Sequence, residues 1–175
     1  MHTNSGPPTI KKNPTIIFFT EKIVNNYINY SIMTLDWTGV NNKTPIFSLE
    51  GTKHLCKVVN VYDGDTCKVV FPFADKMCRW NVRLTGYDTP EMRPPRNQEN
   101  REEEKKAAYA ARDFLRSKVM NDDQLVYIKC GEFDKYGRLL GTLYLRENDE
   151  NSINDLMIQE GHGYVYDGGT KKKFT

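Results

Sequence analysis

Residues 55–84 constrain the fold more than any other part of the chain. The segments 55–62 and 66–73 are rich in β-branched and aromatic residues and flank the turn pair Asp63-Gly64. The segment 77–84 alternates cleanly, with Cys78, Trp80, Val82 and Leu84 on one side and Met77, Arg79, Asn81 and Arg83 on the other. A period of two marks strands with one buried face, and a two-residue Asp-Gly pair between two such runs marks a hairpin. Three neighbouring strands joined by short turns make a meander. Asp65 is the odd residue in it. It stands at the mouth of the second strand, where a β-branched side chain suits the backbone better. Either it belongs to ordinary loop chemistry, or something nearby draws negative charge.

The segment after the meander, Thr85-Gly86-Tyr87-Asp88-Thr89-Pro90-Glu91, leads into Met92-Arg93-Pro94-Pro95-Arg96, where the prolines bar helix and central strand. A helix is predicted over 99–120, with Ala107, Ala111, Phe114, Leu115 and Val119 on its apolar face. The acids Glu102–Glu104 near its start suit the helix dipole. Two strands follow, 125–130 and 139–145, around the turn Asp134-Lys135-Tyr136-Gly137-Arg138. Ser152 and Asp155 form a capping box for a second helix, 153–160, which Gly161 ends. Three strands, a helix, two strands and a helix predict an α+β chain. The expected core is a five-stranded closed barrel of the OB type with two packed helices. A split sheet with packed helices is the alternative.

The predicted organisation is an N-terminal extension over 1–50, a folded domain over 51–167, and a basic tail over 168–175. The extension carries Gly6-Pro7-Pro8 and scattered Asn and Lys, and reads as flexible and disordered. A short helix over 18–33 is compatible with its Ile23, Tyr27 and Tyr30. Met33 is an alternative start of translation. No run approaches the ~20 apolar residues of a membrane span. The short run at 16–19 does not make a signal-peptide core, so an intracellular protein is expected. The four cysteines contain no C-x-x-C pair and read as reduced, packed thiols. A net charge of +2 does not by itself imply a nucleic-acid partner; that needs basic residues concentrated locally.

His2, His54 and His162 form no H-x-x-H or E-x-x-H arrangement, and there is no G-x-S-x-G or P-loop. The chemistry left is that of carboxylates and arginines. Asp65, Asp88 and Glu91 each stand at a strand–turn boundary, where loops present functional groups. Two converging carboxylates need a proton or a cation between them, and a hard cation takes oxygen ligands. The Thr89 carbonyl, held extended before Pro90, is a further candidate. Arg83 and Arg138 carry the planar fork that matches a phosphate. Singly, each acid fits a turn cap and each arginine a surface ion pair. Together they make a phosphoryl-transfer site.

Asp63-Gly64-Asp65-Thr66, Val82-Arg83-Leu84, Asp88-Thr89-Pro90-Glu91 and Asp134-Lys135-Tyr136-Gly137-Arg138, in this order, resemble the staphylococcal nuclease-like (thermonuclease) family over about 55–166. The resemblance implies an OB barrel with helices and calcium-dependent hydrolysis of DNA and RNA phosphodiesters. It makes Asp65, Asp88 and the Thr89 carbonyl metal ligands, Glu91 the general base, and Arg83 and Arg138 the phosphate-binding pair. It makes Asp63 a turn residue supporting the metal site, and has Lys135 and Tyr136 touch substrate phosphate. Tyr164 and Tyr166 become candidates to meet the base, with core packing as the alternative for each. Residue types do not separate Ca²⁺ from Mg²⁺; the resemblance favours calcium. It also implies a third helix after the tyrosines, for which the end of this chain has no pattern.

The expected partner is DNA or RNA, with no membrane and no obligate protein partner, hence a monomer. A second reading is a non-catalytic nucleic-acid-binding OB module, and a third is a protein-interaction domain. The acids weigh against the second, because they would repel a polyanion. The Lys171–Lys173 run and the Arg93–Arg96 loop read as solvated segments, with backbone binding as their functional alternative.

Overall fold

The structure, a computed structural model, describes residues 17–24, 27–34, 37–120 and 124–172. The chain divides into two compact units, Met1–Ile46 and Phe47–Thr175. In the first, β1 (Ile17–Val24) and β2 (Tyr27–Thr34) pair as an antiparallel hairpin. The helix compatible with 18–33 does not form. The segment's Ile, Phe, Thr and Tyr residues favour a pleated backbone over a helix. The flexible reading of residues 1–50 falls outside the described residues at 1–16, 25–26 and 35–36.

The second unit is built on β3 (Lys53–Val61), β4 (Thr66–Phe73), β5 (Lys76–Leu84), β7 (Val126–Phe133) and β8 (Leu139–Tyr144). They close a barrel in the order β3-β4-β5-β8-β7, antiparallel except where β5 meets β8 in parallel. This is the OB arrangement the strand order predicts. Two short strands that the sequence hid, β6 (Tyr87–Asp88) and β9 (Tyr164–Val165), pair antiparallel outside the barrel. At two residues each they are too short to show a period.

Alternation fills the barrel. Cys56, Val58, Val61, Cys67, Val69, Phe71, Val82, Leu84, Val126, Ile128, Leu139 and Leu143 point inward and are buried. All four cysteines are free thiols. Helix α1 (Arg101–Val119) lays Glu104, Ala108, Ala111, Leu115 and Val119 against the core. The predicted face is thus rotated slightly: Ala108 replaces Ala107, and Phe114 sits at the edge of the core, its ring against His162. Helix α2 (Ile153–Gln159) starts with the predicted capping box. Its buried Asn154 donates to the carbonyls of Thr85 and Gly141 at 2.8 and 3.2 Å and accepts from the Leu143 N–H at 3.1 Å. Those bonds tie α2 across the β5–β8 seam. Among the described residues no helix is long and apolar enough to cross a membrane.

The connection after β3 departs from a two-residue Asp-Gly turn. It spans residues 62–65, the Tyr62 N–H donates to the Thr66 carbonyl at 2.9 Å, and the pairing of β3 with β4 shifts register after Val58. Gly64 does not take the left-handed φ that such a two-residue turn requires. It is there for space. A Cβ at Gly64 would lie 2.7 Å from Thr89 Cγ2 and 2.9 Å from Ala111 Cβ. The turn is pressed against the Asp88–Thr89 segment and α1, and that contact carries the site.

Candidate active site

Asp65 leaves the compressed turn at the first rung of β4, opposite Arg83 through the pair Thr66↔Arg83. Its N–H donates to Asp63 Oδ1 at 3.2 Å, so Asp63 shapes the turn. Asp88 arrives from β6. Tyr87, buried beside it, donates its hydroxyl to the Gly64 carbonyl at 2.7 Å and so joins β6 to the turn. The two carboxylates, 23 positions apart in sequence (65 and 88), meet on one guanidinium. Arg83 Nη1 lies 2.7 Å from Asp65 Oδ2 and Nη2 lies 2.8 Å from Asp88 Oδ1. The same two nitrogens donate to the carbonyls of Leu84 and Tyr87, each at 3.2 Å.

The remaining carboxylate oxygens are also bonded. Thr66 Oγ1 donates to Asp65 Oδ1 at 2.9 Å and Thr89 Oγ1 donates to Asp65 Oδ2 at 3.2 Å. Tyr164 donates its hydroxyl to Asp88 Oδ2 at 2.8 Å. Lys171 Nζ sits 3.1 Å from Asp88 Oδ1 and 2.6 Å from Glu91 Oε1. Lys171 is exposed, as a tail residue is, yet it is bound to the site. It folds back as a countercharge for the two acids nearest it. Lys173 lies outside the described residues.

The electrostatics follow from burial. Asp65 is 6% exposed and Asp88 1%. Burial pushes the Asp65 carboxyl up to about 7; Arg83 pulls against this, while Asp63 adds to it. For Lys171 burial alone would lower the pKa, but its bonds to Glu91 and Asp88 outweigh that and raise it. Tyr164 is pushed up to about 12, by burial first and then by its bond to Asp88.

Glu91 is exposed, at the rim of a pocket of about 310 Å³ that also takes in Asp88, Thr89, Tyr164 and Lys171. What fixes it is Glu104. This buried carboxylate accepts the Glu91 N–H at 2.9 Å and bonds the Gln98 side-chain amide. A dipole reading of Glu102–Glu104 passes over Glu104. Yet its position was visible: it falls on the same helical stripe as Ala108, Ala111, Leu115 and Val119. An acid on an apolar stripe needs a partner, and here the partner is the loop that carries Glu91.

Arg138 does not join the Asp65–Asp88 cluster. Its Nε donates to Asp134 Oδ2 at 2.8 Å, and its N–H to Asp134 Oδ1 at 2.9 Å. The β5–β8 register nonetheless puts it on the outer side with Arg83. Arg83 pairs with Leu140, and Arg138 lies two residues, about 7 Å, before Leu140 on the same face. Its guanidinium sits 5.7 Å from the ring of Tyr136, which is itself exposed beside Lys135. Neither tyrosine of β9 and its end packs into the core. Tyr164 is in the site, and Tyr166 donates to the Gly169 carbonyl at 2.8 Å. The Arg93–Arg96 loop is solvated at both arginines.

The donor set around Asp65, Asp88 and Thr89 is oxygen only, which fits a hard divalent cation. Among the described residues no three His, Cys, Asp or Glu side chains converge on one point.

A small OB-type barrel with buried acids gathered on an arginine at one rim is the class that this fold and site define. The profile of the staphylococcal nuclease homologue family matches residues 81–174, and the chain belongs to that family. An uncharacterized endonuclease of Escherichia coli O157:H7 is 30% identical over 113 residues, 63% of this chain and 60% of that protein. Endonuclease YncB of Bacillus subtilis is 32% identical over 130 residues, 69% of this chain and 56% of its own. Uncharacterized protein MJ1439 of Methanocaldococcus jannaschii is 27% identical over 124 residues, 63% of this chain and 58% of its own. The match spans 60% or less of the length of each of these relatives.

Proposed function

We propose that this chain is a metal-dependent nuclease that hydrolyses phosphodiester bonds of DNA, RNA or both. The observation that carries the reading is the Arg83 guanidinium shared by Asp65 and Asp88, with Glu91 three residues beyond Asp88. A non-catalytic binding module has no use for two buried acids facing phosphate. The endonuclease names of two relatives agree with it.

Asp65, Asp88 and the Thr89 carbonyl are the residues to hold the cation, taken as Ca²⁺, which when bound supplies Lewis-acid polarisation of the phosphate. Glu91, whose N–H is held by Glu104 and whose carboxylate pairs with Lys171, is assigned the task of orienting and deprotonating the attacking water. Arg83 commits both terminal nitrogens to carboxylates and carbonyls, so its first task is to hold the two acids at one spacing. Arg138 uses only its Nε internally among the described residues, which leaves its terminal nitrogens for the phosphate oxygens as charge builds on them. Lys135 and Tyr136, exposed on the same turn, extend the phosphate contact. Tyr164 bears on substrate through Asp88, and Tyr166 flanks a second hollow of about 240 Å³ beside Arg83.

The test is cleavage of single-stranded DNA, duplex DNA and RNA in Ca²⁺, in Mg²⁺ and in chelator, beside a Glu91→Gln control. Metal-dependent cleavage that Glu91→Gln abolishes is expected. Binding without cleavage in any metal would replace this reading with the non-catalytic module.

A further inference from the structure

The three strands β3, β4 and β5 contain no Asp or Glu, yet they carry Lys53, Lys57, Lys68, Lys76, Arg79 and Arg83. The chain as a whole is only +2. Its positive charge is thus concentrated on one wall, and the ladder shows how. Arg83 faces Thr66; one rung along, Asn81 faces Lys68; on the next, Arg79 faces Val70, which faces Lys57. These positions all point outward, because their neighbours Val58, Cys67, Val69 and Val82 are buried in the barrel. Each rung is about 7 Å from the next, so the cations run about 13 Å from Arg83 to Arg79. Among the described residues Lys68, Lys76 and Arg79 have no carboxylate partner. Acids stand at the two ends of the wall, with Asp63, Asp65 and Asp88 at the Arg83 end and Asp75 in the turn after β4.

Apolar surface lies between the cations. Leu55, Val59 and Met77 are 44%, 41% and 73% exposed. With Lys57, Val70 and Pro72 they line a shallow groove of about 610 Å³. A polar wall that only had to stay soluble would mix both signs of charge. One sign with apolar surface between suits a polyanion whose charges are regularly spaced and whose bases have apolar faces.

We propose that the outer wall of β3, β4 and β5 binds the backbone of a nucleic-acid strand as it runs away from the acid–arginine site. The proposal rests on the nuclease reading for the identity of the polyanion. The continuity through Arg83 makes the two one track, with hydrolysis at its end and holding along its length. Such a wall adds affinity and salt dependence without reading sequence.

The experiment measures binding in chelator, where no cleavage intervenes. A labelled single-stranded oligonucleotide longer than the ~4–16 nucleotides that an OB barrel covers is titrated by anisotropy across a salt series. The combined Lys57→Glu, Lys68→Glu and Arg79→Glu variant is compared with a charge-matched Lys106→Glu, Arg116→Glu and Arg146→Glu variant. The wall variant is expected to bind about tenfold or more weaker, with the slope of log affinity against log salt reduced by about 2. The charge-matched variant keeps the wild-type slope. Equal losses in both variants, or a wild-type slope in the wall variant, overturn the proposal. So does loss of a concentration-dependent dimer with binding intact, which would make the wall a self-association face. If the triple variant does not fold by circular dichroism, Lys68→Gln and Arg79→Gln singly must each lower the slope by about 0.7, and unchanged slopes overturn the proposal. Failure of the wild type to cleave in any metal, with the wall effect present, would sink the nuclease reading and leave this one standing. Cleavage by the wild type with no wall effect does the reverse.

Discussion

Two Asp-led connections in the barrel look alike in sequence and are built for different work. The connection from β3 to β4 holds Asp63, Gly64 and Asp65; the connection from β7 to β8 holds Asp134 through Arg138. The first is pinned on every side. Gly64 touches Thr89 and Ala111, Tyr87 bonds its carbonyl, and Asp65 is buried on Arg83. The second is open. Gly137 has nothing within 4 Å of a Cβ position, Tyr136 is 73% exposed, and Arg138 pairs with Asp134 and lies over the Tyr136 ring. Burial opposes ionisation of Asp134, yet the two Arg138 bonds and the Tyr136 N–H lower its pKa. A buried turn can fix a charge in place, and an exposed one can offer a charge to a ligand. Phosphoryl transfer needs both kinds.

The two arginines should separate this contrast most widely. Arg83→Ala strands two buried carboxylates and is expected to cost about 3–5 kcal/mol of stability in urea unfolding. Arg138→Ala breaks a half-exposed pair and should cost ~1 kcal/mol or less. Its loss should instead appear as a fall in kcat of about 10²–10³, the size seen when one donor to a developing oxyanion is removed. Equal unfolding midpoints for the two variants would erase the distinction.

The two glycines come next. Gly64→Ala drives a methyl into Thr89 and Ala111 and should cost about 1–3 kcal/mol, as overpacking does. Adding Thr89→Ser removes the Cγ2 contact and should restore part of it. Gly137→Ala meets no atom but sits at φ +76, so its cost is backbone strain alone, roughly 1 kcal/mol, and no neighbouring change relieves it. Rescue of both variants by Thr89→Ser, or of neither, would break the comparison.

The charge on Asp65 is read along pH rather than in a single unfolding midpoint. Its folded pKa is raised to about 7, above the usual carboxylate value, so the folded state binds the extra proton. In chelator, stability should therefore fall as pH rises from about 4 through 7, since the unfolded chain ionises there first. Asp65→Asn should remove that component of the pH profile, match or exceed wild-type stability above pH 7, and lose calcium affinity by calorimetry. Loss of the folded state in this variant would return Asp65 to a turn residue with no further task.

Much of this was legible along the chain. The period-two alternation of 77–84, the Asp-Gly pair and the Ser152–Asp155 box are local signals, and the barrel strands and the second helix follow within three residues at either end. Asp65, Asp88, Glu91 and Arg83 were readable as one group because their motifs keep order. Glu104 was readable only as a departure from the stripe of α1. Tyr164 and Lys171 stood out along the chain as a candidate to meet the base and as part of a basic run, but neither was readable as a partner of Asp88. They reach Asp88 through a two-residue strand and a tail that returns from 83 positions away (88 and 171), and no local pattern records a contact of that kind.

The amino-acid sequence by itself determined the five barrel strands, the two helices, the family and the inventory of acids and arginines, because periodicity and short motifs are properties of neighbours along the chain. Tertiary structure alone decided how those charges are shared. Closing the barrel sets Arg83 between two carboxylates, turns Arg138 to the same outer side without joining it to them, and lines up the cations of three strands on one wall. Each depends on register across strands, where a shift of one residue would turn every one of these side chains to the other face.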